Sequence, residues 1–178
     1  MKFFSARSVF FFFLSSLTSI IPQELLASKG DDREVYVAFV QGDVRISSGK
    51  GHRPDLNQPW EQALGGEPIQ QGCALATGNG RAEIEFENGS MAYLAENSLL
   101  LFRDLSAPGD RMVSRMSLAT GTATFFLQST ADVSYFIETP TDHLSVTEPE
   151  SFFARVDAFL DATAITPQGN QGETLRRR

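Results

Sequence analysis

Thr77 to Phe102 reads TGNGRAEIEFENGSMAYLAENSLLLF, and no other segment says as much about the fold. It opens on Gly78-Asn79-Gly80, a turn signal, and then alternates. Ala82, Ile84 and Phe86 fall on one side, and Arg81, Glu83, Glu85 and Glu87 on the other. A period of two is that of a half-buried strand. Asn88-Gly89 then marks a hairpin, because a type I′ turn needs positive φ at both central residues. With these two at the tip, Glu87 is expected opposite Ser90, Phe86 opposite Met91, Ile84 opposite Tyr93 and Ala82 opposite Ala95. The apolar residues of both strands then share one face.

The flanking sequence repeats this grammar. Val35 to Val40 reads as a strand that Gln41-Gly42-Asp43 turns into a second, Val44-Arg45-Ile46. Ser47 to Pro59 is a polar loop, after which Trp60 and Leu64 are expected to re-enter the core. Pro68-Ile69 is a short strand between the turns Gly65-Gly66 and Gln71-Gly72. Past Glu96-Asn97-Ser98, Leu99 to Phe102 is apolar on both faces, as a covered strand is. Met112 to Leu118 alternates, Thr120-Gly121 turns it into Thr122 to Leu127, and Val133 to Ile137, His143 to Thr147 and Phe152 to Val156 follow. Gly78 to Leu94 and Gly121 to Ile137 form a faint internal repeat. Phe153 to Ala164 is the sole helical candidate, and it fits a strand equally well. The expected fold is all-β, short strands and Gly-rich turns in a solenoid-like or small sandwich arrangement.

Residues 1–27 have the layout of a secretory signal peptide. Lys2 and Arg7 precede the apolar run Val9 to Leu17, and Leu25-Leu26-Ala27 supplies the cut. An uncleaved anchor is the alternative, but Pro22 and four hydroxyl residues stop the run short of the ~20 residues that span a bilayer. Residues 28–160 then form the β domain, and 161–178 are expected to fray. The 178-residue chain has 22 acidic residues against 15 basic ones, the wrong sign for binding nucleic-acid phosphates. Cys73 is the only cysteine, so no internal disulfide exists.

No convergent catalytic set appears, and the domain is expected to be non-enzymatic, without cofactor or metal. Glu83, Glu85 and Glu87 suggest a weak calcium or cation site, against the ordinary reading of a solvated face that discourages edge pairing. His52 and His143 lack further ligands at metal spacing. Cys73 lacks a neighbouring base and reads as a small buried side chain. Trp60 suits either a sugar platform, with the loop Ser47 to Asn57, or the end of a β core. Arg176 to Arg178 read as a solubilising end.

In order and spacing, several elements resemble the periplasmic FecR-like domain family. They are Val40-Gln41-Gly42-Asp43-Val44, Trp60 with Leu64, Gly72 with Ala76-Thr77-Gly78, Gly80 to Phe86, Asn88-Gly89-Ser90, Leu94 to Ser98, Leu118 with Gly121-Thr122-Ala123, and Thr147-Glu148-Pro149. The resemblance spans roughly Val35 to Asp157 and implies an all-β, extracytoplasmic domain without catalytic residues. Its expected role is a protein-binding, assembly or sensing module of the cell envelope, engaging another envelope protein through strand edges. A glycan- or peptidoglycan-binding module is one alternative, and the periplasmic part of a sigma-factor regulatory system is another. Members that regulate sigma factors carry a cytoplasmic helical region and a membrane span before this domain. Here a short leader is expected in their place.

Overall fold

A computed structural model of the protein describes residues 35–49, 54–107 and 111–168. All lie in Asp31–Arg178, the second of two units into which the chain divides. The leader with its expected cut, His52 and Arg176 to Arg178 fall outside the described residues.

The described residues form eleven strands and no helix, so the all-β expectation holds. They are β1 (Val35–Ser47), β2 (Trp60–Gln62), β3 (Pro68–Ile69), β4 (Ala74–Glu85), β5 (Met91–Leu94) and β6 (Leu99–Ser106). There follow β7 (Met112–Gln128), β8 (Val133–Glu138), β9 (His143–Val146), β10 (Ser151–Ala158) and β11 (Thr163–Pro167). Three of them, β1, β4 and β7, are long because each serves two sheets. The first half of β1 and the second halves of β4 and β7 build one sheet, in the order β3-β1-β4-β5-β7-β10-β11. The remaining halves build the other, in the order β2-β1-β4-β6-β7-β8-β9. Because β4 and β7 each pair with both β5 and β6, these four strands close a small ring. This closed ring is a small barrel core from which the other strands extend, and every strand pair except β7–β8 is antiparallel.

The bends sit where turns were expected, and that is the principal correction to the sequence reading. Gln41-Gly42-Asp43, Gly78-Asn79-Gly80 and Thr120-Gly121 do not end strands; they lie inside β1, β4 and β7. Gly42 (φ 78°) and Gly121 (φ 89°) occupy the left-handed region, and the ladder between β1 and β4 slips between Gly42 and Val44. A bulge with glycine at positive φ curves a strand without ending its pairing. Opposite Gly42 stands Gly80, where a methyl group would lie 2.7 Å from Gln41 O, so the two backbones touch directly.

One core lies between the two inner faces. Val37, Ile84, Leu94 and Phe125 of the first sheet are fully buried with Leu75, Leu100, Met116, Leu118 and Ile137 of the second. Phe86 meets Tyr135 across the layers edge to face, ring centroids 5.5 Å apart. Trp60 is only half-buried, and Leu64 is 64% exposed. Ala63 takes the core position instead, its N–H donating to Val44 O at 3.0 Å.

The hairpin also differs by one residue from the expected register. Phe86 N–H donates to Ser90 O and Gly89 N–H to Phe86 O, giving a three-residue loop, Glu87-Asn88-Gly89, in which Gly89 (φ 77°) carries the positive φ and Asn88 does not. Ile84 consequently faces Ala92, and Glu83 faces Tyr93. Ala92 and Leu94 go into the core while Met91 and Tyr93 turn outward. The faint repeat is not realised as two like hairpins, because β8 runs parallel to Met112–Ser117 and not back along Thr122 to Leu127. The stretch from Asp161, expected to fray, supplies β11, whose Ile165 packs on the core. Its polarity is that of an edge strand with one wet side.

Two glycines at positive φ separate backbone strain from crowding. A methyl group added at Gly89 would find nothing within 4 Å, whereas one added at Gly121 would meet Ser98 Cα at 2.5 Å and Asn97 O at 2.6 Å. Gly89→Val is expected to cost about 1 kcal/mol or more from φ alone, and Gly121→Val at least about twice that. Urea unfolding of the two variants checks the ranking; equal losses would mean that Gly121 is not pressed against the neighbouring turn.

Candidate interaction surface

The residues singled out as chemical candidates are dispersed. Glu83 and Glu85 project from the outer face of β4, but Glu87 belongs to the hairpin loop, so the expected stripe of three is a pair. Cys73 is free and buried between β3 and β4, with its carbonyl accepting from Phe102 N at 2.9 Å. His143 is exposed at the start of β9, opposite Glu138. Trp60 sits on β2 and spends its indole N–H on Leu56 O at 3.3 Å, within its own loop. Among the described residues, no three His, Cys, Asp or Glu side chains stand together as a metal site. No helix among them is long and apolar enough to cross a membrane.

What the fold does assemble is a set of edges and an outer face. In an antiparallel ladder, alternate residues turn their N–H and C=O away from the neighbouring strand. Val37 N–H bonds to Glu67 O, so at the β3 edge the outward position falls on Pro68. Gln168 N–H bonds to Phe153 O, so at the β11 edge an outward position falls on Pro167. Both edges of the first sheet thus place a proline, which has no N–H, at one outward position, while Thr163 and Ile165 of β11 share that phase and keep their N–H groups. On the second sheet β2 is three residues long and follows Pro59. β9 contains no proline. Thr139 N–H donates to Asp142 O, which puts the backbone groups of His143 and Ser145 on the free side, with Thr147 next in phase. All three residues are exposed, and Pro140 and Pro149 lie outside the strand.

The outer face of the first sheet carries two rows of side chains. One runs Tyr36, Glu85, Met91, Phe126, Phe153, and the other Phe39, Glu83, Tyr93, Thr124, Arg155, Thr166. The bulge between Val37 and Phe39 is what brings Phe39 to this face. Phe39, Tyr93 and Phe153 are 41%, 41% and 42% exposed, and Phe126 and Phe153 pack edge to face at 5.8 Å. Tyr36 donates its hydroxyl to Glu85, and the carboxylate holds the phenol above its ordinary value. Arg155 is committed to Asp157 at 2.9 Å, and Asp157 also accepts from Thr122 Oγ1 at 2.6 Å. These aromatic residues are legible in the sequence only indirectly. Adjacent strand residues point to opposite faces, so in a sheet covered on one face only, one of Phe125-Phe126 and one of Phe152-Phe153 turns outward.

No family model matches the chain, and no curated protein or solved structure is significantly similar to it.

The Arg155 guanidinium holds the Asp157 carboxyl below its ordinary 3.8. A folded value below the unfolded one gives stability that is present above the unfolded value and lost as pH falls through the folded one. Relative to Asp157→Asn, the wild-type protein is therefore expected to be more stable at neutral pH, with the difference shrinking as pH falls through the ordinary 3.8 and below it. Denaturant midpoints across that range measure it, and a difference that grows towards acid would contradict the pairing.

Proposed function

We propose that the protein is an exported, non-enzymatic FecR-like β domain that acts as a binding or assembly module of the cell envelope, taking up an extended segment of a partner along β9. The observation that carries this reading is the β9 edge: His143 and Ser145 are exposed and keep their outward donors and acceptors with no proline in the strand, whereas Pro68 and Pro167 each remove an outward donor from β3 and β11. Protected edges are what a soluble β protein keeps to avoid indiscriminate pairing. An exposed edge with its donors intact is an opening for strand addition, in which main-chain hydrogen bonds supply affinity and alternate side chains supply selectivity. The signal-peptide layout of residues 1–27 supports an extracytoplasmic setting, and the resemblance over Val35 to Asp157 supports the class.

Ser145→Pro removes an outward N–H but no bond to β8, because Ser145 occupies a non-bonded position of that ladder. Capture of a partner from envelope extract by the wild-type protein is expected to be lost with Ser145→Pro and kept with Ser145→Thr, while melting temperatures stay within a few degrees. No partner above background, or equal capture by Ser145→Pro, would refute the edge mechanism.

A further inference from the structure

The two sheets treat their outer carboxylates differently. On the second, Glu138 lies 3.4 Å from Arg103 and Asp104 lies 3.8 Å from Arg115, whose guanidinium also covers the Phe136 ring at 4.1 Å from its centroid. Acid, cation and aromatic ring are all supplied by the fold itself. On the first sheet the acids and rings are present, but no cation among the described residues is paired with Glu83 or Glu85. Among the described residues, Glu83 and Glu85 make no ion pair, Arg155 is taken by Asp157, and Arg81, two residues before Glu83, makes no ion pair either. Around the two carboxylates stand Tyr36, Phe39, Met91 and Tyr93, each opposite one of them in the ladder.

We infer that this face is a docking surface for an extended basic segment of another protein, one carrying Lys or Arg at alternate positions. Three features of the face select that occupant. The carboxylates are two residues apart on one strand, about 7 Å, which is the spacing of same-side residues in an extended chain. Neither carboxylate is held in an ion pair among the described residues, within a chain whose net charge is −7. The flanking rings offer π faces to the same cations that the carboxylates attract, as Phe136 does for Arg115. The site is separate from the β9 edge, which belongs to the other sheet.

A blocked decapeptide of alternating Lys and Thr is the probe, titrated calorimetrically into the purified full chain, with a decapeptide of alternating Glu and Thr as its control. The basic peptide is expected to bind and the acidic one not. Half-buried carboxylates on an outer face are still screened by salt, so affinity should fall as ionic strength rises. Glu83→Gln with Glu85→Gln should weaken it about fivefold or more, and Tyr93→Ala should weaken it with the carboxylates intact. Ser145→Pro should leave it unchanged, which keeps this test independent of the edge mechanism. Unaltered melting temperatures in the Gln variants confirm that folding is not the cause, since both side chains lie on the outer face.

Several results would overturn the inference. They are absence of binding, equal binding of the acidic peptide, indifference to the two Gln substitutions, or sedimentation showing that the face pairs with a second copy. Binding that emerges only when Arg176, Arg177 and Arg178 are replaced by Ser would assign the face to the chain's own end.

Discussion

Everything in this fold depends on three strands changing sheets without breaking. A strand that bends sharply loses registry with its neighbours unless they bend at the same place. Here Gly42 of β1 faces Gly80 of β4, and Gly121 provides the bend in β7. The turn Ala95 to Ser98, between β5 and β6, is wedged at that corner. Its Ser98 exchanges backbone and side-chain hydrogen bonds with Thr77, accepts from Thr122 N–H at 2.8 Å and donates to Thr122 O at 3.1 Å, and Asn97 N–H reaches Gly78 O at 3.1 Å. Backbone groups that bending frees from the ladder thus find partners in one turn, whose Ser98 is buried, as buried donors and acceptors must. Ring closure by β4, β5, β7 and β6 follows from this arrangement, because β4 and β7 each present one half to β5 and the other to β6.

A second lock holds the opposite end of the layers. Asn88 accepts from the Tyr135 hydroxyl at 2.8 Å and donates to Gln128 O at 2.6 Å, while Ser90 Oγ accepts from Gln128 N–H at 2.9 Å. Burial pushes the Tyr135 hydroxyl up, with Ser90 and Asn88 pulling the other way. Asn88 thus serves less through positive φ than through an amide that ties the hairpin loop to β7 and β8. From sequence alone the same residue reads as half of a type I′ turn. In the fold it occupies an ordinary φ and leaves the left-handed one to Gly89.

That pair of residues shows what a sequence conveys and where it stops. Alternation is a local property, so Ala82, Ile84 and Phe86 fall on the correct face from the residues alone. Hairpin register depends on whether the tip holds two residues or three, and Asn-Gly serves both. Glycines within strands carry the same ambiguity: positive φ makes a turn when nothing lies opposite, and a bulge when a partner strand continues past it. That partner is far away in sequence, Gly80 for Gly42 and Ser98 for Gly121, so the distinction is tertiary. Leu64 and Ala63 make the point for burial. Hydropathy favours the leucine, but the ladder to Val44 fixes which neighbour points inward, and one residue of phase exposes the larger side chain. Of the candidate site, Glu83 and Glu85 are legible because alternation exposes them. Phe39, Tyr93 and Phe153 are not, because their faces depend on a bulge, a register and a strand order.

The unequal treatment of edges and faces connects the fold to the proposed role. Each proline at an outward ladder position gives up a hydrogen-bond donor that a partner strand would need, and Pro68 and Pro167 do so at the two margins of one sheet. That sheet turns its aromatic rings and unpaired carboxylates to the outside. The other sheet neutralises its own acids and leaves β9 open. Pairing by backbone and pairing by side chain are therefore segregated onto different layers. Because the bent strands β1, β4 and β7 run through both, a load or an ordering transition at either surface acts on the same three backbones. Two differentiated surfaces held by one continuous set of strands are what the proposed binding or assembly module requires.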